Sequence, residues 1–314
     1  MDMLEKPPEN KFLACIPSCT GLNLSQMFSA VDTKDPTAVE VQVQAAYLSM
    51  FPPGDRLFVP RVFGWVIECF TGHYAEYQAI DARYHDLEHT LQGTLCLSRL
   101  LWARAEVGAE PSIDQREFEL GLVAILFHDT GYLKTQGDTE GTGAKYTLTH
   151  VARSAEFAGR FLAEKEFSPR EIRAVQNMIQ CTGVNANLAA LPFQTEPERL
   201  VGFALATADL LGQMAADDYP DKLPILYGEF AEAERYSNEQ NPVISGFKSA
   251  RDLMCHTPIF WETFVQPKLK REFCGLYQFL SRPYPSGPNY YLQRIEANLE
   301  RVKRKLSLPE LQGS

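Results

Sequence analysis

Apolar residues recur along this chain at intervals of three and four, the spacing that places them on one face of an α-helix. The pattern predicts helices at residues 36–49, 61–80, 81–106, 117–128, 149–164, 168–181, 198–216, 222–235, 247–280 (one or two helices) and 289–306. Alternation of apolar and polar residues, which is typical of a β-strand, never continues beyond a few positions. We therefore expect an all-α fold.

Turn-forming residues suggest how the chain is divided. Residues 1–36 contain many of them and little periodicity, so we expect an irregular lead-in. Residues 37–280 are predicted to form one helical domain. A segment rich in proline and glycine at residues 282–288 then separates the final helix, which makes residues 281–314 a C-terminal break and helix.

Composition narrows the range of partners. The chain is 45% hydrophobic and 22% charged, which is ordinary for a globular protein. Its net charge of −10 argues against a nucleic acid as partner. The acidic, proline-rich start does not resemble a signal peptide, and no apolar stretch is long enough to span a bilayer. The seven scattered cysteines suit reduced thiols, so we expect a cytoplasmic protein with no membrane partner.

Histidines and aspartates are concentrated where a metal could bind. His85 and His89 are four residues apart on a predicted helix, and therefore share one face. His128 and Asp129 end an apolar helix, where neighbouring side chains can both reach one ion. Asp209 is the sole charge in an apolar run, and a buried carboxylate requires a cation or strong donors. Each feature alone has an ordinary structural explanation, but the combination favours a site for a divalent metal.

Two segments resemble a known family. Residues 84–90 (YHDLEHT) resemble the Y-H-N-x-x-H-A signature of class I cyclic nucleotide phosphodiesterases, and residues 127–131 (FHDTG) resemble their second metal motif. Both motifs belong to the wider HD superfamily of metal-dependent phosphohydrolases. The resemblance covers residues 80–215 and implies an HD-domain helical bundle around the metal, here with an extra C-terminal helical portion.

The resemblance also implies a mechanism. His89, His128, Asp129 and Asp209 would bind the first of one or two divalent ions (Zn, Fe, Mn, Ni or Mg), and Asp129 would bridge to the second. A metal-activated hydroxide would then attack the phosphorus of a small phosphorylated or nucleotide substrate. His85 matches the family's proton donor to the leaving oxygen.

The chain departs from the phosphodiesterase pattern at several positions. Thr130 follows the HD pair where phosphodiesterases have a further histidine, and Asp86 replaces the usual asparagine. His150 resembles the position from which many bacterial HD proteins bind a second metal, but a helix-start histidine bonded to the backbone is an equally good interpretation. Gln213 either orients the metal site or has a structural role. No glutamine can be assigned to purine recognition, which leaves the substrate open.

Two other functions compete with phosphoester hydrolysis. One is a non-catalytic, metal-containing HD module for binding or signalling, although such a site has no need of a proton donor at His85. The other is a di-iron oxygenase, which is disfavoured because no histidine occurs from residue 151 to 255. The C-terminal helices could cover the pocket or form the face of a homodimer.

Overall fold

The computed structural model describes residues 27–237 and 246–307. Within these two ranges the chain forms ten α-helices and no β-strand longer than an isolated bridge, which confirms the predicted all-α fold. Most of the predicted irregular lead-in, at residues 1–26, lies outside the described residues, as do residues 308–314.

The helices follow the predicted order closely. They are α1 (Pro36–Met50), α2 (Phe58–Phe70), α3 (Leu87–Glu106), α4 (Gln115–Phe127), α5 (His150–Glu164), α6 (Pro169–Gln180), α7 (Glu196–Ala215), α8 (Tyr219–Tyr236), α9 (Ala250–Phe260) and α10 (Tyr290–Ser307). Short 3₁₀ turns at Thr130–Tyr132 and Gly143–Tyr146 lie between α4 and α5.

Local capping explains where several helices begin. The side chains of Asp114 and Ser168 each accept a hydrogen bond from the backbone N–H three residues later. The glutamate at that later position bonds back in each case, which completes a capping box. Asp86 caps α3 by accepting from the N–H of His89 at 2.8 Å.

The start of α3 corrects one sequence-based prediction. The helix expected at residues 81–106 begins only at Leu87, and the helix expected at 61–80 ends at Phe70. His85 therefore lies just ahead of α3 and does not share a helix face with His89. Asp81, whose side chain could have capped a helix beginning at this position, instead pairs with Lys134 at 2.8 Å.

The region at residues 247–280 is also more broken than predicted. Helix α9 ends at Phe260 and is followed by π-helical turns at Trp261–Val265 and Lys268–Glu272. Pro258 and Pro267 supply no backbone N–H for the regular ladder, which favours such wider turns. Gly275 then adopts a left-handed conformation with φ of 68° and ends this stretch.

A close crossing of α3 and α7 lies at the centre of the fold. The hydrogen atom of Gly212 faces the backbone of α3, where a Cβ would stand 2.8 Å from the carbonyl carbon of Gln92. A Cβ on Gly93, at the same crossing, would stand 3.7 Å from the Cα of Asp209. The contact at Gly93 is an ordinary van der Waals distance, so it is the lack of a side chain at Gly212 that allows the helices to approach closely, one turn from His89 and Asp209. Helix α4, buried from Phe118 to Phe127, packs beside them.

None of the helices within residues 27–237 and 246–307 is both long and apolar enough to cross a bilayer.

The crossing yields a stability prediction. Gly212→Ala should lower the free energy of unfolding by about 1–3 kcal/mol, because the added methyl group meets the backbone of Gln92 rather than a movable side chain. Gly64→Ala is a matched control, since a Cβ there meets no atom within 4 Å and should add helix stability. Urea unfolding measures both variants. Equal effects of the two substitutions would contradict the proposed role of the crossing.

Candidate metal centre

Four side chains from three helices converge on one buried point. Nε2 of His89 lies 3.1 Å from Oδ2 of Asp129 and 3.3 Å from Oδ1 of Asp209. Nε2 of His128 lies 3.3 Å and 3.5 Å from the same two oxygens. Metal–ligand bonds of about 2.1 Å hold neighbouring ligand atoms about 3.0–3.4 Å apart, so the separations match those around one ion. His89, His128 and Asp209 also form a compact group, with ligand atoms all within 4.8 Å.

The hydrogen bonding of His128 and Asp129 tests whether a metal fits. Nδ1 of His128 donates to the carbonyl of Ile125 at 2.7 Å, so the neutral ring presents the lone pair of Nε2. Oδ2 of the Asp129 carboxylate can only accept. Both atoms are buried and neither has a hydrogen-bond partner. Two buried acceptors that face each other are costly unless a cation lies between them, so the donor set fits a divalent metal.

Without a metal, a proton can partly take its place. Burial alone would lower the pKa of His89, but the carboxylates of Asp129 and Asp209 outweigh it and raise this pKa to about 10. Burial tends to raise the pKa of Asp209, yet the imidazoles of His128 and His89 hold it well below its usual range. A metal ion would therefore compete with protons for the same lone pairs.

His150 lies on the other side of Asp129. Its Nδ1 donates to the carbonyl of Thr147 at 2.6 Å, and its Nε2 lies 3.8 Å from Oδ1 of Asp129. Burial lowers the pKa of His150, which favours the neutral ring that a metal ligand requires. The two interpretations of His150 are therefore compatible, since one nitrogen bonds the backbone at the start of α5 while the other could bind a second ion.

Sequence reasoning missed the partner of His85. Oε2 of Glu229, on α8, lies 2.6 Å from Nδ1 of His85, while Oε1 accepts the backbone N–H groups of Arg83 and Tyr84 at 2.7 Å each. Burial alone would raise the pKa of Glu229, but the charge of His85 lowers it below its usual value. The carboxylate thus accepts a hydrogen bond from Nδ1–H of His85, which leaves Nε2 as the nitrogen available for proton exchange. The only signal in the sequence was an acidic residue on the apolar face of α8.

Tyr132 was also missed. Its ring stacks between the imidazoles of His85 and His150, with centroids 4.4 Å and 4.7 Å away. The preceding residue, Gly131, must lack a side chain because a Cβ there would lie 2.0 Å from the carbonyl oxygen of His150. The glycine after the HD pair therefore lets α5 bring His150 against Tyr132.

Three positions left open by the sequence have defined contacts. Gln213 donates to Oδ1 of Asp209 at 3.3 Å and accepts from the hydroxyl of Tyr84 at 2.8 Å, an arrangement that orients the aspartate. Thr130 donates to the carbonyl of Phe127 and so satisfies the end of α4, without contacting a ligand atom. Asp86 is occupied as the cap of α3.

The loop between α4 and α5 is fastened to the same helix as His85. The backbone N–H and the hydroxyl of Thr142 both donate to the carboxylate of Glu232, which is three residues after Glu229 on α8. One turn of α8 therefore contacts both the segment that carries His85 and the loop that follows the HD pair.

Loss of a ligand should empty the centre. We expect His128→Ala to reduce bound metal to background in elemental analysis of the purified protein, and Gln213→Ala to weaken metal affinity by about 10- to 100-fold. His73→Ala is the control, because His73 is exposed and bonds only within its own turn. Full metal occupancy in His128→Ala would show that the ion is held elsewhere.

The metal-free protein should become less stable as the pH rises from 6.5 to about 10. The pKa of His89 is higher in the folded than in the unfolded state, so its contribution is complete below pH 6.5 and is lost as pH passes the folded value. The measurement is the free energy of unfolding in urea, at several pH values, of protein whose metal has been removed with a chelator. In His89→Gln the free energy of unfolding should fall less steeply with pH over this interval. An unchanged slope would show that other groups cause the pH dependence.

Comparison with known proteins places the chain in a family. No curated protein matches the sequence. The family model described as Npun_R2479-like matches residues 60–278, a range that contains every residue of the centre described above. Since this range is more than half of the 314 residues, the chain belongs to the Npun_R2479-like family.

Proposed function

We propose that this protein is a metal-dependent phosphohydrolase of the phosphodiesterase type, with His85 as proton donor. The observation that carries the proposal is the pair of unpartnered acceptors on His128 and Asp129, beside a histidine anchored by Glu229. The resemblance of residues 80–215 to the HD superfamily supports the same assignment, and the family description names no activity that conflicts with it.

Each residue would have a separate task. His89, His128, Asp129 and Asp209 would hold the ion, which when bound supplies an activated water and offsets charge on the phosphoryl oxygens. His85 would then transfer the proton on Nε2 to the leaving oxygen. Glu229 holds the Nδ1 side of that ring at 2.6 Å, so the donor is oriented before the bond breaks.

Differences in exposure favour catalysis over a purely structural metal. The side chains of His128 and Asp129 are each only 2% exposed, whereas those of Asp209, His85 and His150 are 13%, 14% and 19% exposed. The centre is thus partly open to solvent, both at the proposed ligand Asp209 and at the proposed donor His85. A structural metal site is normally closed by its ligands and needs no such group.

Hydrolysis of bis-p-nitrophenyl phosphate in the presence of Zn, Mn, Fe, Ni or Mg tests the proposal. On a diester with a poorly acidic leaving alcohol, His85→Ala should lower kcat by about 10²–10⁴-fold, as expected for loss of a general acid, without loss of bound metal. The effect on bis-p-nitrophenyl phosphate should be smaller, because p-nitrophenolate leaves without protonation. Glu229→Gln should lower kcat less, because the side chain keeps its size and one acceptor oxygen beside His85 but loses its charge. His256→Ala, at an exposed histidine on α9, is the matched control.

The alternatives give different results in the same experiment. Bound metal without turnover with any of these ions would favour the non-catalytic module. Two moles of iron per chain without phosphatase activity would favour an oxygenase. Unchanged kcat in His85→Ala on the diester with the poorly acidic alcohol would refute the role of His85 as proton donor, and would leave the proposed ligand set unaffected.

A further inference from the structure

Tyr132 occupies a position in the centre that neither metal binding nor proton transfer explains. Its side chain is fully buried, and its ring centroid lies 4.4 Å from that of His85 and 4.7 Å from that of His150. The two imidazole centroids are 5.9 Å apart, so the three rings form one compact triangle. The interplanar angles between Tyr132 and the two imidazoles are only 13° and 23°. The ring therefore offers a flat surface to each of them.

The imidazole of His85 needs this surface because its hydrogen bond does not fix the plane of the ring. Nδ1 donates to Glu229 at 2.6 Å, but a hydrogen bond tolerates tilts of about 30°. A parallel ring against the face of the imidazole restricts that tilt. Tyr84 and His89 do not supply such a face, since they meet the imidazole of His85 at interplanar angles of 66° and 79°. The direction of Nε2 thus depends on Tyr132.

His150 braces the ring of Tyr132 in turn. Nδ1 of His150 donates to the carbonyl of Thr147 at 2.6 Å, which anchors this imidazole at the start of α5. Its Nε2 lies 3.8 Å from Oδ1 of Asp129. The ring of Tyr132 therefore connects the proposed proton donor to an imidazole that is fixed independently.

The backbone on either side of Tyr132 is also firmly held. Arg153, on α5, donates from Nε to the carbonyl of Gly131 at 2.7 Å and from Nη2 to the carbonyl of Leu133 at 2.9 Å. A Cβ on Gly143 would stand 2.1 Å from the carbonyl oxygen of Tyr132, so the following loop packs directly against this residue. The ring consequently has a fixed position against which an imidazole can be aligned.

The hydroxyl of Tyr132 takes no part in these contacts, because it is buried and has no hydrogen-bond partner. The aromatic ring is therefore the part of the side chain that the arrangement uses. We propose that Tyr132 is a positioning residue, whose ring fixes the plane of His85 and so directs Nε2 toward the leaving oxygen. This role rests on the proposed function, in which His85 is the proton donor.

The dependence of hydrolysis on the leaving group separates positioning from general stability. On a diester with a poorly acidic leaving alcohol, Tyr132→Leu should lower kcat by about tenfold or more, because the donor is misaligned. Hydrolysis of bis-p-nitrophenyl phosphate, which needs no proton donor, should change little. Tyr132→Phe keeps the ring and should retain both rates. Equal losses on the two substrates in Tyr132→Leu, or a loss of the same size in Tyr132→Phe, would overturn the proposal.

Tyr77→Leu is the matched control. Tyr77 is also a buried tyrosine, but its ring packs on Tyr74 and Phe157 rather than on an imidazole. This variant should leave the ratio of the two rates as it is in the unmodified protein. A fall in the ratio as large as that in Tyr132→Leu would assign the effect to loss of a buried ring in general, and would overturn the proposal.

A double-mutant cycle shows whether the effect passes through His85. If Tyr132 acts by orienting this imidazole, Tyr132→Leu should have almost no further effect on kcat in the His85→Ala background. The measurement uses the diester with the poorly acidic alcohol. An equal effect of Tyr132→Leu with and without His85 would refute the positioning role.

Proton NMR of the zinc-loaded protein tests the same geometry without turnover. A histidine N–H that donates to a carboxylate gives a signal far downfield, and the signal lost in His85→Ala is that of Nδ1–H. It should persist in Tyr132→Phe and broaden beyond detection in Tyr132→Leu, since the ring is no longer held flat. An unchanged signal in Tyr132→Leu would show that Glu229 alone holds the imidazole, and would overturn the proposal.

The unmodified protein provides a test that does not depend on the folding of any variant. Through-space contacts between the ring protons of Tyr132 and the imidazole protons of His85 are expected in its NMR spectrum, and their absence would overturn the proposal. Lack of turnover on both diesters would instead refute the proposed function, because the NMR measurements report the orientation of His85 whether or not the protein is a hydrolase.

Discussion

The contact between α3 and α7 is the constraint on which the rest of the molecule depends. Gly212 allows the two backbones to meet without a side chain between them. His89 and Asp209 are one turn away on these same helices, and their ligand atoms are consequently 3.3 Å apart. Helix α4 packs beside this pair and ends at Phe127, so His128 and Asp129 project from its end toward the same point. The crossing thus assembles a polar centre inside an apolar bundle.

Much of this arrangement could be read from periodicity and composition. The helices and their order were predictable because apolar spacing reports which face is buried, and capping residues such as Ser168 indicate where a helix starts. The convergence of His89, His128, Asp129 and Asp209 rested on the motif resemblance, since residues so far apart in sequence carry no local signal of proximity. The start of α3 was misplaced because the aspartates at positions 81 and 86 can both cap, and tertiary contacts with Lys134 decide between them.

The contacts of His85 could not be predicted from the sequence. The prediction that His85 shares a helix face with His89 was wrong, because the helix begins at Leu87, after His85. Its orientation comes from Glu229, 144 residues later, and from the ring of Tyr132. Glutamate and tyrosine are too common in helices for either to be selected without a three-dimensional arrangement.

Glu229 and Glu232 attach two separate segments of the chain to α8. Because they lie one turn apart on α8, the segment that carries His85 and the loop that carries Thr142 are fastened to a single rigid body. A displacement of α8 strains both attachments together. The orientation of the imidazole and the position of the loop are therefore coupled through one helix.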